Sequence, residues 1–527
     1  IMKVLVADQI SEKGVQFLQQ QEHIEVVCSP DSPPEKLKEN LKDTQGLIVR
    51  SKTRVTQDIL DSAPDLQVIG RAGAGVDNID LDTATKRGVL VMNTPGGNSV
   101  SAAEHAFALM ITLARKIPIA DASMRSGKWE KPRFTGQELQ NKTLGILGLG
   151  KIGTLLAQRG LGFQMEIVAY DPFISQEYSK DLGVRLAEVV DVFREADFLS
   201  LHLPLTDETR GIVNKKSLSR MKNSAFLINA ARGGLVVEED LAQALETDTI
   251  AGAALDVFEN EPEISERMRG LKNSILTPHI AGATIEAQNQ VGVSIARQVV
   301  DYLRNGLVVN AVNFPSLSVH DLKHVTPFLE LGKKLGSFAI QTSSIGIDEI
   351  GIRYYGGLKD LDYRPISNHI LKAILQPMLS EPVNEVNART TAAQRGISVV
   401  ETLSSRPRGH SELISIQLRN SSETEWIEGA ILHDGQAWLI SVDGIAVETQ
   451  LGNFAVFIRN EDKPGVIGQV GTILGKHKVN IASFVLGRSD TESQAIGVIN
   501  TDSEVEQSVI EEIRSIPAIS FARIIRL

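Results

Sequence analysis

Arg232, Glu261 and His279 are three residue types that together could bind a carboxylate and move a proton. A guanidinium fork binds a carboxylate through paired hydrogen bonds. An imidazole titrates near working pH and can take a proton, and a carboxylate beside it stabilises its charged form. Each follows an apolar run of strand character: Arg232 after Phe226-Leu-Ile-Asn-Ala-Ala231, Glu261 after Leu255-Asp-Val-Phe-Glu-Asn260, and His279 after Ile275-Leu-Thr-Pro278. Open α/β sheets place their ligands at the carboxyl ends of strands, so a shared site is the sharp reading. Surface ion pairs and a histidine satisfied within its own loop are the bland alternatives, because sequence separation alone proves no contact.

A second group of residues reads as a dinucleotide cradle. Thr143-Leu-Gly-Ile-Leu-Gly-Leu-Gly-Lys-Ile-Gly153 joins a strand-length apolar run to a helix start, and Asp171 closes the next apolar run 18 residues after Gly153. Gly148 allows a tight turn, Gly150 lets backbone N–H groups approach a pyrophosphate, and Gly153 lets the helix that begins near Lys151 lie close to the strand. A carboxylate at 171 would accept hydrogen bonds from ribose hydroxyls and repel a 2′-phosphate, so NAD is expected rather than NADP. A bare glycine turn is the competing reading; the strand before, the helix after and the acid downstream count against it.

A chain of 527 residues suffices for three or four domains, and 42% hydrophobic with 23% charged residues is ordinary for a globular chain. A net charge of −11 argues against a general nucleic-acid or anionic-membrane surface, while leaving room for a local basic pocket. Cys28 is the only cysteine, so neither an internal disulfide nor a zinc cluster can be built from cysteines, and a reducing compartment such as the cytoplasm fits. No metal site is expected, and no membrane span either, since the longest apolar runs are too short to cross a bilayer. The start lacks a signal-peptide pattern; an organelle location would imply a removed transit peptide.

The elements that must position the chemistry alternate as strand and helix from residue 3 to about 92, the pattern of a parallel sheet. Ser99 to Lys116 reads as a long helix ended by Pro118. Six strands in the nucleotide unit fit a Rossmann sheet. Ala283 to Asn305 reads as a second long helix, stopped by Gly306, that carries the chain back to the first sheet. Beyond Pro315 no phosphate loop recurs, and from Phe454 the order βαββαβ is ferredoxin-like. The expected fold is therefore α/β. Residues 1–97 with 283–314 form a flavodoxin-like, discontinuous substrate domain and 98–282 a Rossmann NAD domain; 315–451 and 452–527 are two α+β regulatory domains.

Asn229-Ala-Ala-Arg232-Gly-Gly, Leu255-Asp-Val-Phe-Glu-Asn-Glu261-Pro, Thr277-Pro-His279-Ile, Arg71-Ala-Gly-Ala-Gly-Val-Asp-Asn78 and Asn93-Thr-Pro-Gly-Gly-Asn98, in that company, resemble the D-isomer-specific 2-hydroxyacid dehydrogenases over about residues 3 to 314. The resemblance implies that Arg232 holds the substrate carboxylate and C2 oxygen, that His279 takes the C2 hydroxyl proton, and that Glu261 tunes His279. It implies NAD contacts at Gly148, Gly150, Lys151, Ile152, Gly153, Asp171, Ala230, Asp256 and Gly282, with Asp256 toward the nicotinamide amide.

Residues 315–451 resemble an intervening regulatory domain, often called ASB, and 452–527 resemble an ACT domain. By resemblance, those modules imply the branch of the family that oxidises 3-phospho-D-glycerate to 3-phosphohydroxypyruvate at the start of the phosphorylated route to serine. By that resemblance Arg50, Ser51, Ala74 and Gly75 line the substrate side, Lys131 reaches into a neighbouring subunit of a homo-oligomer (dimer or tetramer), and Asn460, Asp462 and Asn480 contact an L-serine effector. Asn and Asp also favour turns, which is the plainer account of the last three. Another D-2-hydroxyacid dehydrogenase, acting on glycerate, lactate or 2-hydroxyglutarate, and an NAD-sensing corepressor are the alternative readings.

Overall fold

Strands covered on both faces need near-continuous apolar runs, and the first half of the chain consists of such runs separated by helices. In the computed structural model, which describes residues 1–315, 319–360, 362–405, 409–432, 435–489 and 493–527, they form two parallel sheets. β1 (Met2–Val6), β2 (Ile24–Cys28), β3 (Gly46–Val49), β4 (Val68–Arg71) and β5 (Leu90–Met92) lie in the order β2-β1-β3-β4-β5, the flavodoxin-like arrangement. β6 (Thr143–Leu147), β7 (Glu166–Tyr170), β8 (Arg185–Leu186), β9 (Phe198–Leu201), β10 (Phe226–Asn229), β11 (Gly252–Leu255) and β12 (Ser274–Leu276) lie in the order β12-β11-β10-β9-β6-β7-β8. Counted from β6, that is the doubly wound Rossmann order with one strand added at the far edge. The sheet has seven strands where sequence reading finds six, because β8 is a two-residue edge strand too short to carry a hydrophobic pattern.

Two helices bind the lobes together. Ser99–Arg115 is buried along Ala102, Ala103, Ala106, Phe107 and Met110, and it stops at Lys116 in a left-handed conformation (φ 54). Pro118 therefore does not end it. It lies in the first turn of the next helix, Ile117–Arg125, where a fixed φ and a missing N–H carry no penalty. Ile285–Asn305 is capped by the Thr284 hydroxyl and closed by Gly306 at φ 67. Its Val291, Ile295 and Val299 pack with Val4, Ile48 and Val68 of the first sheet, so the chain returns there.

β13 (Glu349–Gly356), β14 (Ser398–Ser404), β15 (Glu412–Arg419), β16 (Thr424–Leu432), β17 (Gln436–Val442) and β18 (Ile445–Gln450) form a mixed sheet in the order β14-β13-β15-β16-β17-β18. β19 (Phe454–Glu461), β20 (Ile481–Arg488), β21 (Gln494–Thr501) and β22 (Ile519–Arg526) form an antiparallel sheet in the order β20-β21-β19-β22. Period-two alternation divides the burial of β19. Val456 and Ile458 face the helices Val466–Lys476 and Gln507–Arg514, whereas Ala455 and Phe457 join the core of the preceding module. There the rings of Phe338 and Phe457 meet edge to face at 5.6 Å. No helix among the described residues is long and apolar enough to cross a membrane.

Asn313 fastens the returning chain to the first sheet. Its Oδ1 accepts from Val91 N at 2.8 Å, and its Nδ2 donates to Val89 O at 2.9 Å and to Thr85 Oγ1 at 3.0 Å. Asn313→Ala should lower the stability of the substrate lobe by about 1–3 kcal/mol, the cost of leaving buried backbone groups without partners. Thermal unfolding measures it, and an unchanged midpoint would show that the segment is not anchored this way.

Candidate functional site

The cradle forms as strand, turn and helix. Gly148 sits at φ 95, and a Cβ there would lie 2.5 Å from His202 O. A Cβ at Gly153 would lie 2.0 Å from Gly148 O, so the helix Lys151–Gly162 crosses the turn at a distance only glycine permits. At its N-terminus Gly150 supplies no side-chain cap and has open space around it, which leaves backbone donors at the positive end of the helix for an anion. Ile152 lies in the first turn, and Lys151 Nζ reaches across to Gly96, 2.9 Å from where a Cβ would stand. Asp171 closes β7: its Oδ2 accepts from Leu149 N at 2.8 Å and its Oδ1 from Phe173 N at 2.9 Å. The carboxylate thus braces the glycine turn it faces. These features fit a dinucleotide: a close-approach turn, free N–H groups and an acid one strand away.

Opposite the cradle lies a cationic cleft. His279, Gly282, Asn98, Arg50, Ser51, Arg71 and Gly73 line it, with Gln288 from the returning helix. Asp8, almost fully buried, shapes the loop that carries Arg50 and Ser51; its carboxylate accepts from Arg50 N at 2.6 Å, Thr53 N at 3.2 Å and Thr53 Oγ1 at 2.7 Å. Arg71 ends β4. Burial, followed by the nearby charges of Arg232 and Arg50, pushes its guanidinium down to about 10, and its Nε is buried without a hydrogen-bond partner. Glycines make space for both arginines: a Cβ at Gly73 would lie 1.5 Å from Arg71 Nη1, and one at Gly75 would lie 2.4 Å from Arg232 Nη2. Neighbouring Ala74 is held by its carbonyl, which accepts from Asn93 Nδ2 at 2.5 Å.

Arg232 is set by buried Asn229, whose Nδ2 donates to Arg232 O at 2.9 Å and whose Oδ1 accepts from Ala231 N at 3.1 Å, with Ala230 between. Its Nε stands 3.2 Å from Asp77 Oδ2, so the guanidinium of one lobe pairs with a carboxylate of the other. His279 Nδ1 donates to Glu261 Oε2 at 2.7 Å, while Glu261 Oε1 accepts from Phe258 N at 3.1 Å. Burial works to raise Glu261, but the bond and charge of His279 outweigh it and hold the carboxyl below its ordinary range. With Nδ1 committed, Nε2 is the nitrogen of His279 left for a ligand.

Asp256 is fully buried and accepts from Thr277 Oγ1 at 2.6 Å, Ile280 N at 2.9 Å and Ala281 N at 2.8 Å. In this structure its carboxylate organises the loop that carries His279. Gly282 ends that loop against Asn98, where a Cβ would meet Asn98 Nδ2 at 2.7 Å. Lys131 opens the exposed short helix Lys131–Phe134, outside the cleft lining.

The three ACT-domain residues are not brought together within one chain. Asn460 is buried near the end of β19, with Nδ2 donating to Glu461 O at 2.7 Å and Oδ1 without a partner, and Asp462 beside it stands 3.5 Å from Arg488. Asn480 donates to Asp502 next to the start of β20, which pairs with the end of β21, whereas Asn460 pairs with its start, so the two lie at opposite ends of the strands. At ~3.3 Å per strand residue, the two groups lie about 20 Å apart.

Three comparisons with known proteins bear on this geometry. Residues 107–281 match the D-isomer specific 2-hydroxyacid dehydrogenase NAD binding domain, 324–443 the D-3-phosphoglycerate dehydrogenase intervening domain and 454–518 the ACT domain. D-3-phosphoglycerate dehydrogenase of Bacillus subtilis is 36% identical over 528 residues, covering 100% of both chains. Its counterpart from Synechocystis is 38% identical, covering 100% of this chain and 95% of the other. The chain belongs to the D-3-phosphoglycerate dehydrogenase family. Among solved structures, the TT0316 protein of Thermus thermophilus superposes at TM-score 0.55 with 32% identity, covering 59% of this chain and 100% of the other. The family's NAD-binding domain accounts for the cradle, and NAD is the cofactor.

Sequence reading missed Arg71, Asp77 and Asn229 as site residues. Arg71 had a signal, since it is a charged residue at the carboxyl end of a buried strand, inside a motif already conspicuous for its glycines. Asp171→Ala should weaken NADH binding by about ten- to a hundredfold and narrow the preference over NADPH, since it removes charge-assisted hydrogen bonds worth ~1.5–3 kcal/mol together with the repulsion of a 2′-phosphate. Fluorescence titration with both coenzymes measures this, and an undiminished preference would assign the discrimination elsewhere.

Proposed function

We propose that the cleft oxidises 3-phospho-D-glycerate to 3-phosphohydroxypyruvate. The observation that carries this reading is the half-buried Arg71, with a buried and unpartnered Nε, set among the charges of Arg50 and Arg232. Such a group of cations needs an anion of more than one charge, and a substrate bearing a phosphate and a carboxylate supplies it. Arg232 would exchange Asp77 for the substrate carboxylate and C2 oxygen, and Arg50, Ser51 and Arg71 would take the phosphate.

His279 Nε2 accepts the C2 hydroxyl proton as the C2–H bond breaks, and Glu261 compensates the positive charge that results. When bound, NAD supplies the nicotinamide C4 that receives the hydride, so the products are the keto acid, NADH and one proton held on His279. Glycines 148, 150 and 153 with Asp171 orient the coenzyme so that this transfer is intramolecular in effect.

Regulation by L-serine through the ACT domain belongs to the same reading. The unpartnered Oδ1 of Asn460 and the separation of Asn480 favour a site shared between two ACT domains of a homo-oligomer. The single cysteine, and Arabidopsis relatives named as chloroplastic, favour a reducing compartment, cytoplasm or stroma.

NADH consumption should be fastest with 3-phosphohydroxypyruvate and much slower with hydroxypyruvate, glyoxylate or 2-oxoglutarate, and serine should lower the rate. Equal or better use of the unphosphorylated acids would overturn the substrate assignment. His279→Ala should cut turnover by about two to four orders of magnitude, the usual worth of a general acid or base, and a near-normal rate would remove His279 from the mechanism.

A further inference from the structure

The loop that carries His279 is held from beneath. Asp256 fixes it three times, through Oδ1 to Ile280 N at 2.9 Å, through Oδ2 to Ala281 N at 2.8 Å, and through its own carbonyl, which accepts from His279 N at 2.9 Å. His279 itself adopts φ 53, a left-handed conformation that a non-glycine residue keeps only where its surroundings enforce it. The imidazole that meets substrate therefore depends on the placement of the Asp256 carboxylate.

That carboxylate is placed in turn by His105. His105 Nε2 stands 3.3 Å from Asp256 Oδ1 and 3.2 Å from Thr277 Oγ1, and the Thr277 hydroxyl donates its hydrogen to the same Oδ1 at 2.6 Å. With that hydrogen spent, both oxygens near Nε2 present only lone pairs, so Nε2 carries the hydrogen and His105 is the donor to the pair. Burial pushes Asp256 upward, yet the bonds from His105, Thr277 and the backbone hold it below its ordinary range, so the hub stays ionised and acceptor-only. His105 is one of three contacts along one face of Ser99–Arg115. Ser101 Oγ lies 2.7 Å from Thr284 Oγ1, and Asn98 packs on Gly282. The spacing 98, 101, 105 is that of a single helical face.

We infer that His105 is a positioning residue for the hydride-transfer site: by donating to Asp256 and Thr277 it locks the 277–284 loop to the helix Ser99–Arg115 and so aims His279 at the substrate. The inference rests on His279 being the group that takes the C2 proton. His105 acts through Thr277 and through an Asp256 carboxylate that is fully buried and committed to the loop, so its loss should affect the chemical step more than coenzyme binding.

The test uses the full-length protein and three variants, His105→Leu, His105→Gln and Thr277→Val, with 3-phosphohydroxypyruvate reduction, NADH affinity and thermal midpoint measured on each. His105→Leu and Thr277→Val should lower kcat about ten- to a hundredfold, the effect of a small displacement of a reacting group, while NADH affinity stays within about twofold. His105→Gln, which keeps an N–H donor, should recover most of the loss. Parental kcat in His105→Leu, or an equal loss in His105→Gln, would overturn the inference. So would a loss that tracks the fraction of unfolded protein; should His105→Leu fold poorly, Thr277→Val decides the matter, and parental kcat there overturns it as well. His279→Ala run in parallel separates the two readings. If the parent protein turns over the keto acid and His279→Ala does not, a normal His105→Leu sinks only the positioning role; if His279→Ala is active, the assignment of the general base fails first.

Discussion

Like charges at close quarters repel, and this chain sets three guanidinium groups around one cleft. Arg50, Arg71 and Arg232 come from different strand ends of two lobes, and burial together with the other two charges depresses Arg71. Much of the surrounding architecture serves to hold that arrangement until an anion arrives. Asp8 shapes the loop of Arg50, Asp77 pairs with Arg232, and glycines at 73 and 75 clear space for Arg71 and Arg232. A cluster of this kind stores affinity for a polyanion, because the substrate relieves a repulsion the fold already bears.

The second requirement is that the coenzyme and the substrate meet edge to edge. Two parallel sheets supply it, because each presents the carboxyl ends of its strands to the same gap. The chain crosses between the lobes twice, before Ser99 and again near Thr284, and the two crossings touch where Ser101 meets Thr284. Helix Ser99–Arg115 therefore belongs to the nucleotide lobe, yet it also bears on the loop that carries His279.

The C-terminal modules connect to this machinery through packing. The sheet β20-β21-β19-β22 lends one face to the core that contains Phe338, so it is continuous with the intervening module. That module meets the substrate lobe where Asn384 Nδ2 donates to Gly88 O at 2.7 Å and Val386 enters the core beside Phe314. The ACT sheet thus shares one core with the intervening module, and that module touches the substrate lobe through Asn384 and Val386.

The cradle was legible in sequence because it is local: strand, glycine turn, helix and acid follow in order, and each residue type is dictated by its neighbours. The ferredoxin-like order and both long helices were legible for the same reason, since the periods of two and 3.6 are written in consecutive residues. The two-residue β8 left no pattern, and Pro118 marked a helix start rather than an end because Lys116 had already turned the chain. The pairing of His279 with Glu261, the convergence of Arg71 with Arg50 and Arg232, and the dependence of the His279 loop on Asp256 and His105 join residues far apart in the chain. Which side chains share a cleft depends on strand order and on where two lobes meet, and those are settled by packing whole sheets. The sequence by itself determined what chemistry was on offer; only the tertiary structure decided which groups would act together.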